Sequence, residues 1–220
     1  MGLIDRLLGR GTNQSGIVTT TAPSQAVPEP SEVAAVNADD PSGSWYVPQD
    51  GNADRFVGAD GLPPLRLVHY RDRAGEYVLR LCDNTTGLLV GPTDRRLPRA
   101  GIYVSQLRGE FDHRAACRAG NFHPGEPVHL VREADNPHDR NAVAVYDATG
   151  SYLAAYVNKQ KARMLTKLLD TGSPIEAISI RGTRANIACD QIAILAARPE
   201  VLQHLLSPRP PEAARPAFLA

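Results

Sequence analysis

The sequence predicts a mainly β domain with one or two helices, folded as a small and partly open β barrel. Two observations carry this prediction. Short segments rich in β-branched and other apolar side chains recur at close spacing between residues 65 and 197. Turn residues separate them, and few segments have the apolar spacing of a helix.

Nine segments have the composition of strands, and most are bounded by glycine, asparagine or aspartate. Residues 72–76 (Asp-Arg-Ala-Gly-Glu) predict a hairpin connection between the first two strands. Residues 148–150 (Ala-Thr-Gly) predict a turn between two later ones. We expect strands at 65–70, 77–83, 88–91, 101–107, 127–133, 142–147, 151–157, 175–181 and 190–197.

The clearest helix is expected at 159–169. Asn158 suits its N-cap and Gly172 suits its end. Its apolar side chains recur at a spacing that predicts a stripe facing the core, formed by Ala162, Leu165, Leu168 and Leu169. A short helix is expected within 111–121, and a closing helix at 200–206.

Composition divides the chain into four parts. Residues 1–64 are acidic, rich in Pro, Ser and Thr, and too poor in apolar side chains to offset the entropy of ordering. We therefore expect a disordered segment, with 45–47 (Trp-Tyr-Val) as a docking point near its end. A small β meander is expected at 65–100, the barrel domain at 101–207, and a disordered proline-rich tail at 208–220.

Charge and cysteine content exclude several classes of protein. The chain carries 24 basic and 24 acidic side chains, so nucleic-acid binding would need a local basic patch. The three cysteines form no CxxC pair, which argues against a zinc ribbon and fits a reducing compartment. The sequence has no apolar run of the ~20 residues that a membrane span needs, and no signal-peptide pattern. We expect a cytoplasmic monomer without membrane contact.

The loop before the 142–147 strand, in the stretch DNPHDRNAVAV at 135–145, is rich in turn-forming side chains. Asn136 precedes Pro137 and is kept out of the helical region, and Asn136 and Asn141 can both fold back on backbone N–H groups. These three residues are expected to hold the turn. His138 and Asp139 lie at its apex, where an imidazole can stack on a base and a carboxylate can accept from a hydroxyl.

This stretch also carries a resemblance to a known family. Residues 125–128 (Gly-Glu-Pro-Val), 130–133 (Leu-Val-Arg-Glu), the loop itself, a glycine turn and a helix beginning Asn-Lys-Gln-Lys-Ala resemble the HIRAN domain. Upstream, 107–113 (LRGEFDH) resembles the first motif of the family's bacterial, stand-alone members. The resemblance covers roughly residues 101–197.

The resemblance implies a modified OB-like barrel that binds DNA, in some members by capturing a single-stranded 3′ end during repair or replication stress. By residue-for-residue match, Asp139 would meet the terminal 3′ hydroxyl. His138 stands where the family has a larger stacking aromatic, and Phe111 matches a second aromatic. Lys159 matches a phosphate-binding lysine, and Tyr156 a histidine of end-binding members.

The predicted 159–169 helix has a basic face opposite its apolar stripe. Lys159, Arg163 and Lys167 lie at i, i+4 and i+8. The N-terminus of a helix also favours a phosphate, because its first N–H groups have no partner within the helix. The face is therefore either ordinary solvated surface or a track for nucleic-acid phosphates.

Motifs for catalysis are missing from the sequence. There is no phosphate-binding P-loop and no nucleophile elbow, and His113, His123 and His129 lack the spacing of a metal site. We expect no catalytic residue, no cofactor and no metal, and a DNA-binding module that works with a helicase or nuclease partner. Two alternatives remain open: a protein-interaction scaffold with a degenerate pocket, and a metal-dependent hydrolase acting on nucleic acid or acid anhydrides.

Overall fold

The computed structural model of the chain describes residues 45–49, 51–72, 74–189 and 191–208. The predictions for residues 1–44 and for the tail from 209 onward lie outside these residues. Within them, no helix is long and apolar enough to cross a membrane.

The first part is a three-stranded antiparallel sheet in the order β1-β2-β3, as the meander prediction expected. Its strands are β1 (Leu65–Arg71), β2 (Tyr77–Asp83) and β3 (Leu89–Val90). Asp72 closes the β1–β2 hairpin, because its Oδ1 accepts the N–H groups of Ala74 and Glu76 at 2.9 and 3.0 Å. A short 3-10 helix, Leu97–Ala100, leads into the barrel.

Six strands then form a closed barrel in the order β4-β7-β6-β5-β8-β9. They are β4 (Ile102–Arg108), β5 (Pro127–Glu133), β6 (Ala142–Asp147), β7 (Leu153–Val157), β8 (Glu176–Arg181) and β9 (Ala193–Ala197). The predicted mainly β barrel fold is confirmed, but the barrel is not partly open. Strand β4 closes it by pairing with β9 through residues 102–106 and with β7 through 107–108.

The described residues also form three α-helices: α1 (Arg114–Ala119), α2 (Lys159–Asp170) and α3 (Pro199–Leu206). In α2, Leu165 is fully buried, as its apolar spacing predicts, and Thr166 is buried beside it. Leu168 and Leu169 are only partly buried, so the predicted stripe is rotated toward Thr166. The helix begins at Asn158, whose Oδ1 accepts the Gln160 N–H at 3.0 Å, and Gly172 follows its end.

Apolar side chains form two clusters. One fills the barrel and includes Val143, Val145, Leu165 and Ile194. The other packs the three-stranded sheet and α3 against the barrel wall. Strand β6 is buried along most of its length, and α2 packs against it. This accounts for its apolar sequence, Ala-Val-Ala-Val.

Residues 45–49 and 51–64, which the composition placed in a disordered segment, pack onto the fold. Val47 and Phe56 are 3% and 0% exposed. The backbone beside them pairs with β3, since Val47 donates to the Leu89 carbonyl at 2.8 Å and the Leu89 N–H donates to Trp45 at 2.7 Å. The segment has too few apolar residues to fold alone, but it adds them to a core that the sheet and α3 already provide.

Candidate functional site

A cavity of about 560 Å³ opens where the ends of three barrel segments meet. The end of β4 and the turn before α1 form one wall. The loop between β5 and β6, residues 134–141, forms the second. The end of β7 and the start of α2 form the third. Five of the predicted site and turn residues line it: Asn136, His138, Asp139, Tyr156 and Lys159.

Asn136 organises the loop wall. Its side-chain Oδ1 accepts the N–H groups of His138 and Asp139 at 2.9 and 3.2 Å, which is the Asx turn that the Asn-Pro pair predicts. Its Nδ2 donates to Glu133 Oε2 at 2.7 Å, which ties the loop to the end of β5. Pro137 and His138 are thereby held exposed at the apex.

Asp139 accepts two hydrogen bonds within this loop. Its Oδ1 accepts the N–H of Asn141 at 2.8 Å, and its backbone carbonyl accepts the N–H of Ala142 at 2.8 Å. Among the residues that the structure describes, Oδ2 has no hydrogen-bond partner. The carboxylate therefore holds the turn with one oxygen and leaves the other available at the cavity.

The sequence led us to expect that the Asn141 side chain holds the turn, but among the described residues it does not. Its backbone takes part instead: the N–H donates to Asp139, and the carbonyl accepts the hydroxyl of Thr166 at 3.0 Å. Thr166 is 4% exposed on the inner face of α2. This bond fixes the spacing between the loop wall and the α2 wall.

Tyr156 reaches the cavity from β7. Burial raises the pKa of Tyr156 above its usual value, and the neighbouring charge of Glu133 and the hydrogen bond to it raise the pKa further. The phenol is therefore neutral at physiological pH. Glu133 acts on two walls, because it accepts a hydrogen bond from the Asn136 amide and its charge raises the pKa of Tyr156.

The start of α2 forms an anion-favouring corner of the cavity. Asn158 caps the helix, and its own N–H donates to the buried hydroxyl of Ser105 on β4 at 3.0 Å. The Lys159 side chain is exposed at the cavity, and its backbone N–H has no acceptor among the described residues. A cationic side chain and a free helix N–H are thus close together.

The β4 wall brings in three residues that the site prediction did not include: Arg108, Asp112 and His113. The His113 ring lies 5.9 Å from the Tyr156 ring, centroid to centroid, at an interplanar angle of 55°. The sequence gives little indication of Arg108, Asp112 and His113 as site residues. They lie at or after a predicted strand end, where turn geometry decides which side chains face inward.

Phe111, predicted as a site aromatic, does not line this cavity. It is 74% exposed, and the Arg114 guanidinium lies over its ring at 4.3 Å from the centroid. The turn before α1 points His113 inward and leaves Phe111 on the outer surface. Arg163 and Lys167 are exposed along α2, outside the cavity, so only Lys159 of the predicted basic face lines it.

The buried thiols do not resemble nucleophiles. Burial, followed by the neighbouring Cys189 and Glu110, raises the pKa of Cys117 to about 11. Burial also raises the pKa of Cys189. In the described part of the chain, no group of three or more His, Cys, Asp or Glu side chains is arranged to hold a metal ion.

Comparison with known protein families gives a match over the segment that contains most of the cavity residues. A family model described as "HIRAN domain" matches residues 109–194, which include the loop, the cavity residues of β7 and the whole of α2. The comparison with curated proteins gave no match.

Solved structures of similar chains come from two organisms. The crystal structure of the HIRAN domain of human HLTF is 24% identical, covers 48% of this chain and 83% of that chain, and has a TM-score of 0.35. A crystal structure of a Lactobacillus plantarum protein is 19% identical, covers 43% and 92%, and has a TM-score of 0.34. The NMR structure of the HLTF domain in its DNA-bound conformation is 21% identical, covers 48% and 82%, and has a TM-score of 0.32. The similarity to the HIRAN family model therefore extends over residues 109–194, less than half of this chain.

Proposed function

We propose that the cavity binds a single strand of DNA and receives its 3′ end. The HIRAN family implies DNA as the ligand, and the three walls supply the groups that a terminal nucleotide needs. Lys159 with its free N–H, together with Arg108, suits a phosphate. The rings of Tyr156 and His113 suit a base, since aromatic side chains stack on bases whatever their sequence.

The observation that carries the 3′-end proposal is the geometry of Asp139. A carboxylate at a DNA site repels phosphates, so it needs a different partner. Its Oδ1 is used within the loop, and Oδ2 is available at the cavity. Such an oxygen can accept from the amino groups of bases or from a free sugar hydroxyl, and a 3′ end offers that hydroxyl on its last nucleotide.

We also propose that this chain is a binding module that leaves strand separation or cleavage to a helicase or nuclease partner. The roles proposed for the cavity residues are all in binding: a phosphate at Lys159, a base on Tyr156 and a hydroxyl at Asp139. The buried Cys117, with its raised pKa, suits packing better than nucleophilic chemistry.

Asp139→Asn is the direct test of end recognition. The amide keeps an oxygen for the Asn141 N–H, so the turn is preserved, but the negative charge is lost. We expect the wild type to bind a 3′-hydroxyl oligonucleotide about tenfold more tightly than the same strand with a 3′ phosphate, since hydrogen bonds to charged groups contribute about 1.5–3 kcal/mol. Asp139→Asn should remove most of this preference, as measured by fluorescence anisotropy.

Asn136→Ala is the matched control for that experiment. It breaks the Asx turn and the bond to Glu133, so it should weaken binding of both ends alike. If the wild type binds both ends equally, end recognition is refuted and the site is a general strand binder. If it binds neither, the protein-interaction alternative replaces DNA binding.

Lys159→Ala tests the phosphate corner. Because a phosphate contact releases counterions, the plot of log affinity against log salt concentration should flatten by about 0.7 of a unit, for all single strands alike. Lys161→Ala is the matched control, since this lysine lies on α2 but does not line the cavity. Equal slopes for Lys159→Ala and the wild type would remove Lys159 from the site.

A further inference from the structure

The positive and negative charges that line the cavity are equal in number. Arg108 and Lys159 contribute two positive charges, and Asp112 and Asp139 contribute two negative ones. These fixed charges cancel. The remaining titratable residues of the lining that can become positive are two imidazoles, His113 and His138. A strand of DNA is a polyanion, so its attraction to a wall without net charge is weak.

We propose that protonation of His113 and His138, the two imidazoles of the lining, sets the affinity of the cavity for the strand. This inference rests on the proposed function. The imidazole is the side chain whose charge normally changes between about pH 5 and pH 8. Protonation of both rings converts a neutral lining into one with two positive charges, so binding becomes tighter as the pH falls.

The surroundings of His113 allow this role. Its ring faces Tyr156 of β7, a neutral phenol that adds no charge. Asp112 precedes it in the turn, and Arg114, which follows, is directed to the Phe111 ring instead of the cavity. Arg108 of β4 lines the same wall. His113 makes no side-chain cap to α1, so its nitrogens are not needed for the helix.

His138 lies on the loop wall of the same cavity. Its backbone N–H is held by Asn136, and its side chain is exposed at the apex of the loop. Asp139 and Arg140 are its charged neighbours in the loop, and Lys159 is the charged group of α2 that lines the same cavity. Both imidazoles therefore border the cavity that the strand would enter.

The experiment measures the affinity of the full chain for a 5′-labelled oligothymidylate with a free 3′ hydroxyl, at constant ionic strength. Neither thymine nor a 3′ hydroxyl titrates between about pH 6 and about pH 8, so a change in affinity reports on the protein. We expect the wild type to bind roughly tenfold more tightly at the lower pH, or about threefold for each imidazole. The salt slope should steepen by about 0.7 for each protonated ring.

Variants separate the charge of His113 from its ring. His113→Phe keeps an aromatic face but cannot be protonated, so it should lose its share of the gain in affinity between about pH 8 and about pH 6. His138→Gln should lose the other share, and the double variant should be independent of pH. His69→Gln is the matched control: His69 is exposed on β1, outside the cavity, and this variant should keep the wild-type profile.

The outcomes are distinguishable. A wild type that binds equally well at both pH values overturns this inference and leaves the proposed function standing. A pH profile that persists in the double variant, or that His69→Gln abolishes, also overturns it. A chain that binds at neither pH refutes the proposed function, and this inference with it.

Discussion

Replacing Phe56 with alanine is expected to lower the free energy of unfolding by about 3–5 kcal/mol, the usual cost of removing a buried aromatic ring. Phe56 is 0% exposed and belongs to the cluster between the three-stranded sheet, α3 and the barrel. The Arg96 guanidinium lies over its ring at 4.8 Å from the centroid, and Arg96 forms a buried ion pair with Asp94 at 2.6 Å. The lost ring therefore leaves both a cavity and a less well-packed cation.

Chemical denaturation of the full chain measures this effect. Val57→Ala is the matched control, because its side chain is 47% exposed and next in sequence, and it should change stability by much less. Similar stabilities for Phe56→Ala and Val57→Ala would show that residues 45–64 do not pack onto the fold. In that case, the disorder predicted from the composition of the segment would be correct.

This segment illustrates where the sequence was insufficient. Strands β2, β5 and β6 occupy the residues predicted for them, because alternation and turn residues act within a few positions of one another. Val47 belongs to the 45–47 triplet that the sequence predicts as a docking point, but no local pattern around Phe56 marks it as core. Their burial depends on a surface made by residues far along the chain.

The candidate site, too, was predicted only in part from the sequence. His138, Asp139, Tyr156 and Lys159 line one cavity, and each was named from a motif. Phe111 was named as well, but it lies outside. Phe111 and His113 are two residues apart in one turn, and backbone geometry decides which ring faces Tyr156. Sequence pattern cannot fix that choice, because a turn has no fixed side-chain period.

The walls of the cavity are joined by hydrogen bonds that no sequence motif predicts. Ser105 joins β4 to the start of α2, and Thr166 joins α2 to the loop. Both are buried hydroxyls, which need partners and so lock the segments that supply them. The position of α2 thus controls the distance between Lys159 and Asp139, the two charged groups assigned to the phosphate and to the hydroxyl.

Leu165 holds α2 in that position, and its replacement by alanine is expected to cost about 2–5 kcal/mol in the free energy of unfolding. It is fully buried in the barrel cluster, one residue before Thr166. A cavity beneath the helix should also loosen the bond between Thr166 and the loop. Binding of single strands should therefore weaken even at temperatures where the variant remains folded.

Leu168→Ala provides a matched comparison, because the apolar spacing of α2 predicts both leucines as core residues. The structure leaves Leu168 only partly buried, so its truncation should cost clearly less than that of Leu165. Denaturation curves of the two variants decide between the predicted stripe and the observed one. Equal losses would mean that α2 is rotated from the orientation described, and Thr166 could then not be placed against the carbonyl of Asn141.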